Sequence, residues 1–374
     1  MHVERDIAGI TIPFTAGVLL TVYFGAAHHQ SLTVLQFISS GGILISAMML
    51  LMRGKILSQT TMLQALIISC TCLCGILAGV TGLNMDLDFP MSAAEEAAQG
   101  FCKRMQKAID SIPFESAGTG ALIKALLTGD RTSLSKDITQ AFRDSGASHI
   151  LALSGLHLGI IYGILSTILS ACGNSLYMRR MRSVTVMGVC TFYTLATGAG
   201  PSITRALIFI ILGETARLIG RPQNLGQIFL AALLIQLVIS PMSVRSIGFQ
   251  LSYAAIAGIA YIYPWLRGFW PDDEAASPAG RIFGRGMRWI WNSLALSISC
   301  QITTGPLAYM YFGTFPEHFL LTNLIALPLT GLLIPSALLT LCMSCLGCCP
   351  AWLATITDFL AQTTIHSLHI ISTM

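Results

Sequence analysis

Apolar runs of about twenty residues recur along most of this chain, and each is long enough to cross roughly 30 Å of hydrocarbon. Charged residues make up 10% of the 374 and hydrophobic residues 54%, with a mean hydropathy of +0.71. A soluble domain carries about 25% charged residues. The sequence therefore reads as an all-α integral membrane protein. About ten transmembrane helices are expected, near 8–26, 32–51, 61–83, 148–171, 184–198, 201–219, 225–240, 247–266, 289–312 and 319–346. The first follows "MHVERDI" without a small-residue cleavage site and reads as a retained span.

Lys and Arg in short loops set orientation. An inside N-terminus puts Arg53, Lys55, Arg179, Arg180, Arg182, Arg217, Arg221, Arg267, Arg281, Arg285 and Arg288 inside, and leaves Arg245 in the short outer loops. Four regions follow: three N-terminal spans (1–83), an extracytoplasmic helical segment (84–147), a transmembrane body (119–346) and an amphipathic C-terminal helix (347–374). The outer segment opens with a capping box, Ser92 to Glu95. Ala94, Ala97, Phe101, Met105, Ala108 and Ile112 then share one helical face. A second helix, 119–128, ends at "GDR". A third starts on Ser135 and stops at Gly146. In the tail, Thr355, Asp358, Gln362, His366 and His369 oppose Trp352, Ile356, Phe359, Leu360 and Leu368. Such a helix either lies in the membrane interface, the favoured reading because Trp suits headgroup depth, or turns its polar stripe to an internal wet space.

The fourth span, "SHILALSGLHLGIIYGILS", carries two patterns. Gly155, Gly159 and Gly163 form a small-residue ridge suited to close helix packing. Ser154 and His157 share a different face. His157 either bonds a neighbouring helix or lines a wet cavity. A Ser–His catalytic pair finds no support, because the span has no carboxylate and no GxSxG turn. In "GAGPSITRALIF", Pro201 suits a first helical turn. Arg205 either snorkels to headgroups or presents a permanent cation to an anion's path. Gln250, Ser252, Gln301, Thr303, Thr304, Pro306, Asn323, Pro328 and Pro335 interrupt later spans, and their number suggests an internal cavity or broken helices.

The absences narrow the function. No GxxxxGK[ST] supplies a motor, and no HExxH or histidine run supplies a metal centre. The eleven cysteines include CxxC spacing at Cys342 and Cys345. No further His or Cys pair in a loop completes a zinc or redox site, so the thiols read as small apolar side chains. Neither an enzyme, a cofactor nor a bound metal is expected.

Five stretches, in order, resemble the competence domain of the ComEC family, the bacterial channel for incoming single-stranded DNA. They are "LLTGDRTSLSKDITQAFRDSGASHILALSGLHLG", "GPSITRALI", "SPMSVRSIGFQLSYAAIAG", "TGPLAYMYFGTF" and "LTNLIALPLTGLLIP". The resemblance implies a multi-pass channel in the bacterial cytoplasmic membrane that passes one DNA strand during natural transformation. It carries over Gly129, Asp130, Arg131, His149, Ser154, Gly155, His157, Ser202, Arg205, Gln250, Ser252, Asn323 and Pro328 as pathway or framework positions. Full-length members often add an OB-like domain and a metallo-β-lactamase-like nuclease domain; neither is legible here. A separate DNA receptor, a nuclease and a cytoplasmic ATP-driven motor are therefore the implied partners, beside single-stranded DNA and the lipid bilayer. Segment 84–147 holds seven basic and nine acidic residues, so it is no electropositive funnel for phosphates. A secondary transporter of a small anionic or polar solute is the alternative that broken helices and midplane polar groups equally suit.

Overall fold

The computed structural model describes residues 2–24, 29–51, 60–84, 93–173, 175–222, 224–269, 278–313 and 318–373. Every regular element among them is helical. Two compact units result, Met1–Pro90 with Pro222–Ala260 and Met91–Arg221 with Tyr261–Met374. Three helices are long and apolar enough to cross a membrane by length and composition, within Asp6–Tyr23, Leu63–Leu83 and Phe319–Cys345. Arg53, Lys55 and the capping residue Ser92 lie outside the described residues.

The first unit contains α1 (His2–Phe24), α2 (His29–Leu51), α3 (Thr60–Asn84), α11 (Leu225–Ile239), a 3-10 turn (Pro241–Arg245) and α12 (Ile247–Ala257). Its tightest joint is the α1–α3 crossing. A Cβ on Gly17 would collide with the Cys72 carbonyl, and one on Gly75 with the Phe14 carbonyl. A Cβ on Gly79 would lie 2.7 Å from Thr21 Cβ. Thr21 donates its hydroxyl to the carbonyls of Gly17 (3.1 Å) and Ile76 (3.3 Å). This is small-xxx-small packing, and it belongs to Gly75 and Gly79. The expected ridge on the fourth span is met only at Gly155. A Cβ added to Gly159 or Gly163 would meet nothing within 4 Å among the described residues.

The second unit contains α4 (Ala93–Asp110), α5 (Ala117–Thr128), α6 (Lys136–Asp144), α7 (Ser148–Leu151), α8 (Gly155–Ala171), α9 (Leu176–Ala196), α10 (Pro201–Leu218), α13 (Tyr263–Arg267), α14 (Pro278–Phe312), α15 (Phe319–Cys345) and α16 (Ala351–Ser372). Leu122, Leu126, Phe142, Ile150, Leu333 and Leu368 join α5, α6, α7, α15 and α16 in one core. The helical segment before the fourth span thus finds its apolar partner in α15, which is long and apolar enough to span a membrane, and in α16. Ser135 caps α6 by accepting from the Ile138 amide (3.2 Å), as its position predicts.

Several expectations change. The expected face of α4 holds in its second half, where Met105, Ala108 and Ile112 pack with Ile109 into a core, but not in its first, where Ala98 and Cys102 are buried while Ala94, Ala97 and Phe101 are exposed. Ala98 and Cys102 pack on Leu195 and Ala196 of α9, where small side chains let the helices approach. Phe101 meets Phe192 edge-on at 5.3 Å. The fourth span is two helices, α7 and α8, parted at 152–154. The fifth begins earlier than expected, so Arg179, Arg180 and Arg182 stand in the first two turns of α9 rather than in a loop. The eighth is interrupted by a π-turn, Gly258–Ile262, just before Pro264. α14 and α15, by contrast, run unbroken through Pro306, Pro328 and Pro335. Their hydroxyls are absorbed within the helices: Thr304 donates to the Cys300 carbonyl (2.8 Å) and Thr330 to that of Ala326 (2.7 Å). A groove of about 450 Å³, lined by Ile298, Gln301, Ile302, Gly305, Pro306, Tyr309 and Phe319, is almost wholly apolar.

The tail helix does not divide along the expected stripes: Asp358 of the polar side and Leu368 of the apolar side both face inward, while Thr355, His366 and His369 are exposed. Thr357, Asp358, Ala361, Thr364 and Leu368 are buried in α16, while Trp352 (62%) and Phe359 (68%) are exposed. The Asp358 carboxylate accepts from Ser116 Oγ (3.1 Å) and Thr119 Oγ1 (2.5 Å), and Thr119 in turn accepts from Gln362 Nε2 (3.1 Å). A buried carboxylate is costly unless hydrogen-bonded, so these hydroxyls fix where α16 sits on α5. Asp358→Ala leaves the fully buried Thr119 hydroxyl without its acceptor, a cost of about 1–3 kcal/mol. We expect its thermal midpoint in detergent, read by size-exclusion after heating, to fall by several degrees, with Trp352→Ala close to the parent.

Candidate functional site

The break at 152–154 organises the surroundings of α8. Ala152 still closes α7 by donating to the Ser148 carbonyl (3.3 Å), and the turn that follows leaves the Ser154 and Leu156 amides to be covered locally by side chains. Ser154 adopts the extended N-cap conformation, and its Oγ accepts from the Leu156 amide (3.3 Å). His157 stands at the third helical position, and its Nδ1 accepts from the Ser154 amide (3.2 Å). This is a capping box in which imidazole replaces the usual Glu or Gln. Because Nδ1 accepts, the neutral ring carries its proton on Nε2. His157 is 1% exposed, and Nε2 has no hydrogen-bond partner among the described residues. Ser154 Oγ does lie 3.1 Å from His157 Nδ1, but both atoms are engaged in capping.

Two other segments meet this turn. Gly129 ends α5 in the left-handed conformation (φ 79°), and its amide donates to the Ala125 carbonyl (3.1 Å). A Cβ there would lie 2.5 Å from Leu153 Cδ1, the movable end of a leucine side chain, so it is the left-handed conformation that calls for glycine. Asp130 turns the chain: its Oδ1 accepts from the Thr132 amide (3.0 Å) and hydroxyl (2.7 Å). The Thr132 hydroxyl, then the Thr132 amide, hold the Asp130 carboxyl below its ordinary range, helped by Lys124. On the other side, a Cβ on Gly155 would lie 3.2 Å from Ala206 Cβ, which brings α10 against the start of α8. Arg205 is therefore next to this contact, and at 2% exposure it is buried in the protein. Burial excludes the snorkelling alternative. Behind the turn, Leu158, Val186, Cys190 and Ile203 form the joint core of α8, α9 and α10.

The remaining expected positions distribute differently. Arg131 and His149 are exposed, and the His149 Nδ1–H donates to the Gly146 carbonyl at 3.2 Å. Ser202 is half-buried in the first turn of α10, whose N-cap is Gly200 without a side-chain cap. Asn323 is half-buried on α15 with Oδ1 enclosed and unpartnered among the described residues. Its neighbour Thr322 donates to the Ser145 carbonyl (2.6 Å). Pro328 is half-buried inside α15. Gln250 and the half-buried Ser252 belong to the first unit, where Gln250 donates to Tyr23 Oη (3.1 Å) and the Val244 carbonyl (2.9 Å). Gln250 therefore reads as a tie between α12, α1 and the 3-10 turn.

Sequence reasoning missed two contributors. Tyr193 of α9 donates to the Leu127 carbonyl (2.7 Å), beside the GDR turn. Glu214 of α10, 1% exposed, accepts from Tyr162 Oη (2.7 Å) and Ser183 Oγ (2.6 Å) and pairs with Arg217 (2.8 Å). The i,i+3 spacing of Glu214 and Arg217 was the one available signal; no local pattern marks Tyr193, Tyr162 or Ser183.

The cap makes a graded prediction. His157→Gln keeps an acceptor at the third position and should stay near the parent in thermal midpoint. His157→Leu and Ser154→Ala should each lose about 0.5–2 kcal/mol, read by the same heating assay. A second prediction concerns pH. A carboxyl held low in the folded state stabilises above its unfolded pKa, and that contribution is lost as pH falls through the lower folded value. Thr132→Val should therefore narrow the stability difference between pH 7 and pH 3; an unchanged difference would remove Asp130 from the acid response.

Residues 126–374, well over half of the chain, match the family model described as competence protein. Among curated relatives, ComE operon protein 3 of Bacillus subtilis (strain 168) is 29% identical over 143 residues, 38% of this chain and 18% of that protein. Competence protein ComA of Neisseria gonorrhoeae is 26% identical over 231 residues, 60% of this chain and 30% of that protein. The uncharacterized protein YcaI of Escherichia coli (strain K12) is 26% identical over 214 residues, 56% of this chain and 27% of that protein. The chain thus spans less than a third of the length of these relatives. No solved structure matches it. The match starts in the last turns of α5 and takes in the GDR turn, the capped start of α8 and the α10 segment against it: the chain belongs to the competence protein family.

Proposed function

We propose that the chain forms the transmembrane channel through which single-stranded DNA crosses the cytoplasmic membrane during natural transformation. The observation that carries this reading is the start of α10. Its N-cap is Gly200, which supplies no side-chain oxygen to the first amides of the helix. A helix N-terminus favours an anion. Ser202 stands in that turn and Arg205 one turn on, buried rather than turned to headgroups. A guanidinium stays charged and matches phosphate oxygens in pairs. Backbone phosphate is the chemistry this end of α10 suits, and the competence family is its context.

In this reading about ten helices span the membrane with the N-terminus inside, following the bias of basic loop residues. The chain conducts and does no bond chemistry itself. Capture at the surface, degradation of the other strand and pulling from inside fall to separate partners: a DNA receptor, a nuclease and an ATP-driven motor.

The test is genetic and quantitative. Deletion should abolish transformation by purified donor DNA, and the native chain should restore it. Arg205→Ala at normal protein level should lower transformation about tenfold or more, with Arg205→Lys between the two. Normal transformation in the deletion strain, with a lost solute uptake instead, would overturn the DNA reading in favour of a transporter.

A further inference from the structure

The second unit carries a concentration of positive charge that the channel reading uses for orientation alone. Glu214 accepts from Tyr162 of α8 and Ser183 of α9, so these three positions stand at one level of the bundle. From that level α9 runs on to Tyr193, and α10 arrives from Pro201. Residues before Ser183 and after Glu214 therefore lie at the same end. They include Arg179, Arg180, Arg182, Arg217 and Arg221. Between Ser175 and Arg221 the sequence holds one acidic residue, Glu214. Residues 158–178, which bring in the rest of α8, hold no charged residue.

The single carboxylate is already used. Glu214 is paired with Arg217 and saturated by two hydroxyls, and Arg217 donates also to Tyr162 Oη (3.2 Å). Among the described residues no carboxylate forms an ion pair with Arg179, Arg180, Arg182 or Arg221. Arg182 Nε is enclosed without a hydrogen-bond partner among the described residues. Three of these cations also stand in the first two turns of α9, where the helix dipole is positive and opposes them, and no acidic residue occupies that first turn. The arrangement is unfavourable by itself and becomes favourable with an external anion.

The flanking surface says which anion. Leu176 (63%), Tyr177 (69%), Met181 (43%) and Val184 (55%) are exposed along the same turns of α9. A headgroup phosphate beside cations and acyl chain beside exposed apolar side chains is the pattern of a phospholipid. We propose that this end of α9 and α10 is a binding site for an anionic phospholipid, its phosphate held by Arg179, Arg180 and Arg182. The inference rests on the chain lying in a bilayer and is independent of what the channel passes.

The experiment uses the full chain in detergent, incubated with phosphatidylglycerol or phosphatidylcholine and weighed intact by native mass spectrometry. Phosphatidylglycerol should be retained at least about tenfold better than phosphatidylcholine, and about 0.5 M salt should weaken it by screening. The combined Arg179→Gln, Arg180→Gln, Arg182→Gln variant should lose that preference. Should it fail to fold, the three Arg→Lys changes keep the charge and should preserve part of it, while Arg180→Gln alone should lower it. Equal retention of both lipids by the native chain overturns the proposal, as does undiminished preference in the glutamine variants. Displacement of phosphatidylglycerol by millimolar inorganic phosphate, or by a single-stranded oligonucleotide, also overturns it, because the site would then take phosphate without a lipid.

Discussion

Everything in the second unit depends on how a chain interrupts a helix in an apolar setting without abandoning its amides. Each unpaired backbone group there costs several kcal/mol. The interruption at 152–154 meets this demand with two side chains three residues apart, Ser154 and His157, which exchange bonds with the first amides of α8. Because the turn closes on itself, its apolar residue Leu153 is left to pack under Gly129, and Gly155 to pack against α10. The GDR turn and the segment around Arg205 are both positioned by this one local solution.

Much of the helical frame was legible in the sequence, because apolar runs of spanning length have few other folds open to them. The ends of α5 and α6 were legible too, since Gly129 and Ser135 act through their own backbone or the next few residues. The break in the fourth span was not. It contains no proline, Ala152 and Leu153 are as apolar as the helix around them, and a lone serine such as Ser154 is common inside apolar helices. Its cap uses histidine where the recognised pattern has Glu or Gln. Prolines misled in the opposite direction: Pro306, Pro328 and Pro335 sit inside helices that continue.

Rotation about a helix axis was the least legible property. The first half of the α4 stripe was placed one residue off, because Ala94, Ala97 and Phe101 are as apolar as the buried set, and only the packing on Leu195 and Ala196 of α9 decides between them; its second half, Met105, Ala108 and Ile112, packs as expected. The same holds for glycine spacing. Gly155–Gly159–Gly163 and Gly75–Gly79 look alike on paper. Both glycines of the second set face another helix closely enough to need the missing side chain, whereas in the first only Gly155 meets a neighbour. For the candidate site, the sequence named Ser154, His157 and Arg205 but gave no sign of Tyr193 or of the hydroxyls around Glu214, whose partners lie tens of residues away.

The unbroken course of α14 has a mechanical consequence. Its thirty-five residues, at about 1.5 Å each, make a rod of about 52 Å against roughly 30 Å of hydrocarbon. Held upright it would stand several turns proud of the lipid; held inside, it would lean steeply. In the ten-span reading proposed above, the turns before the span carry Arg281, Arg285 and Arg288. A push or a pull delivered there would travel along a single hydrogen-bonded cylinder, past Gln301 and Pro306, into the body of the protein without crossing a joint.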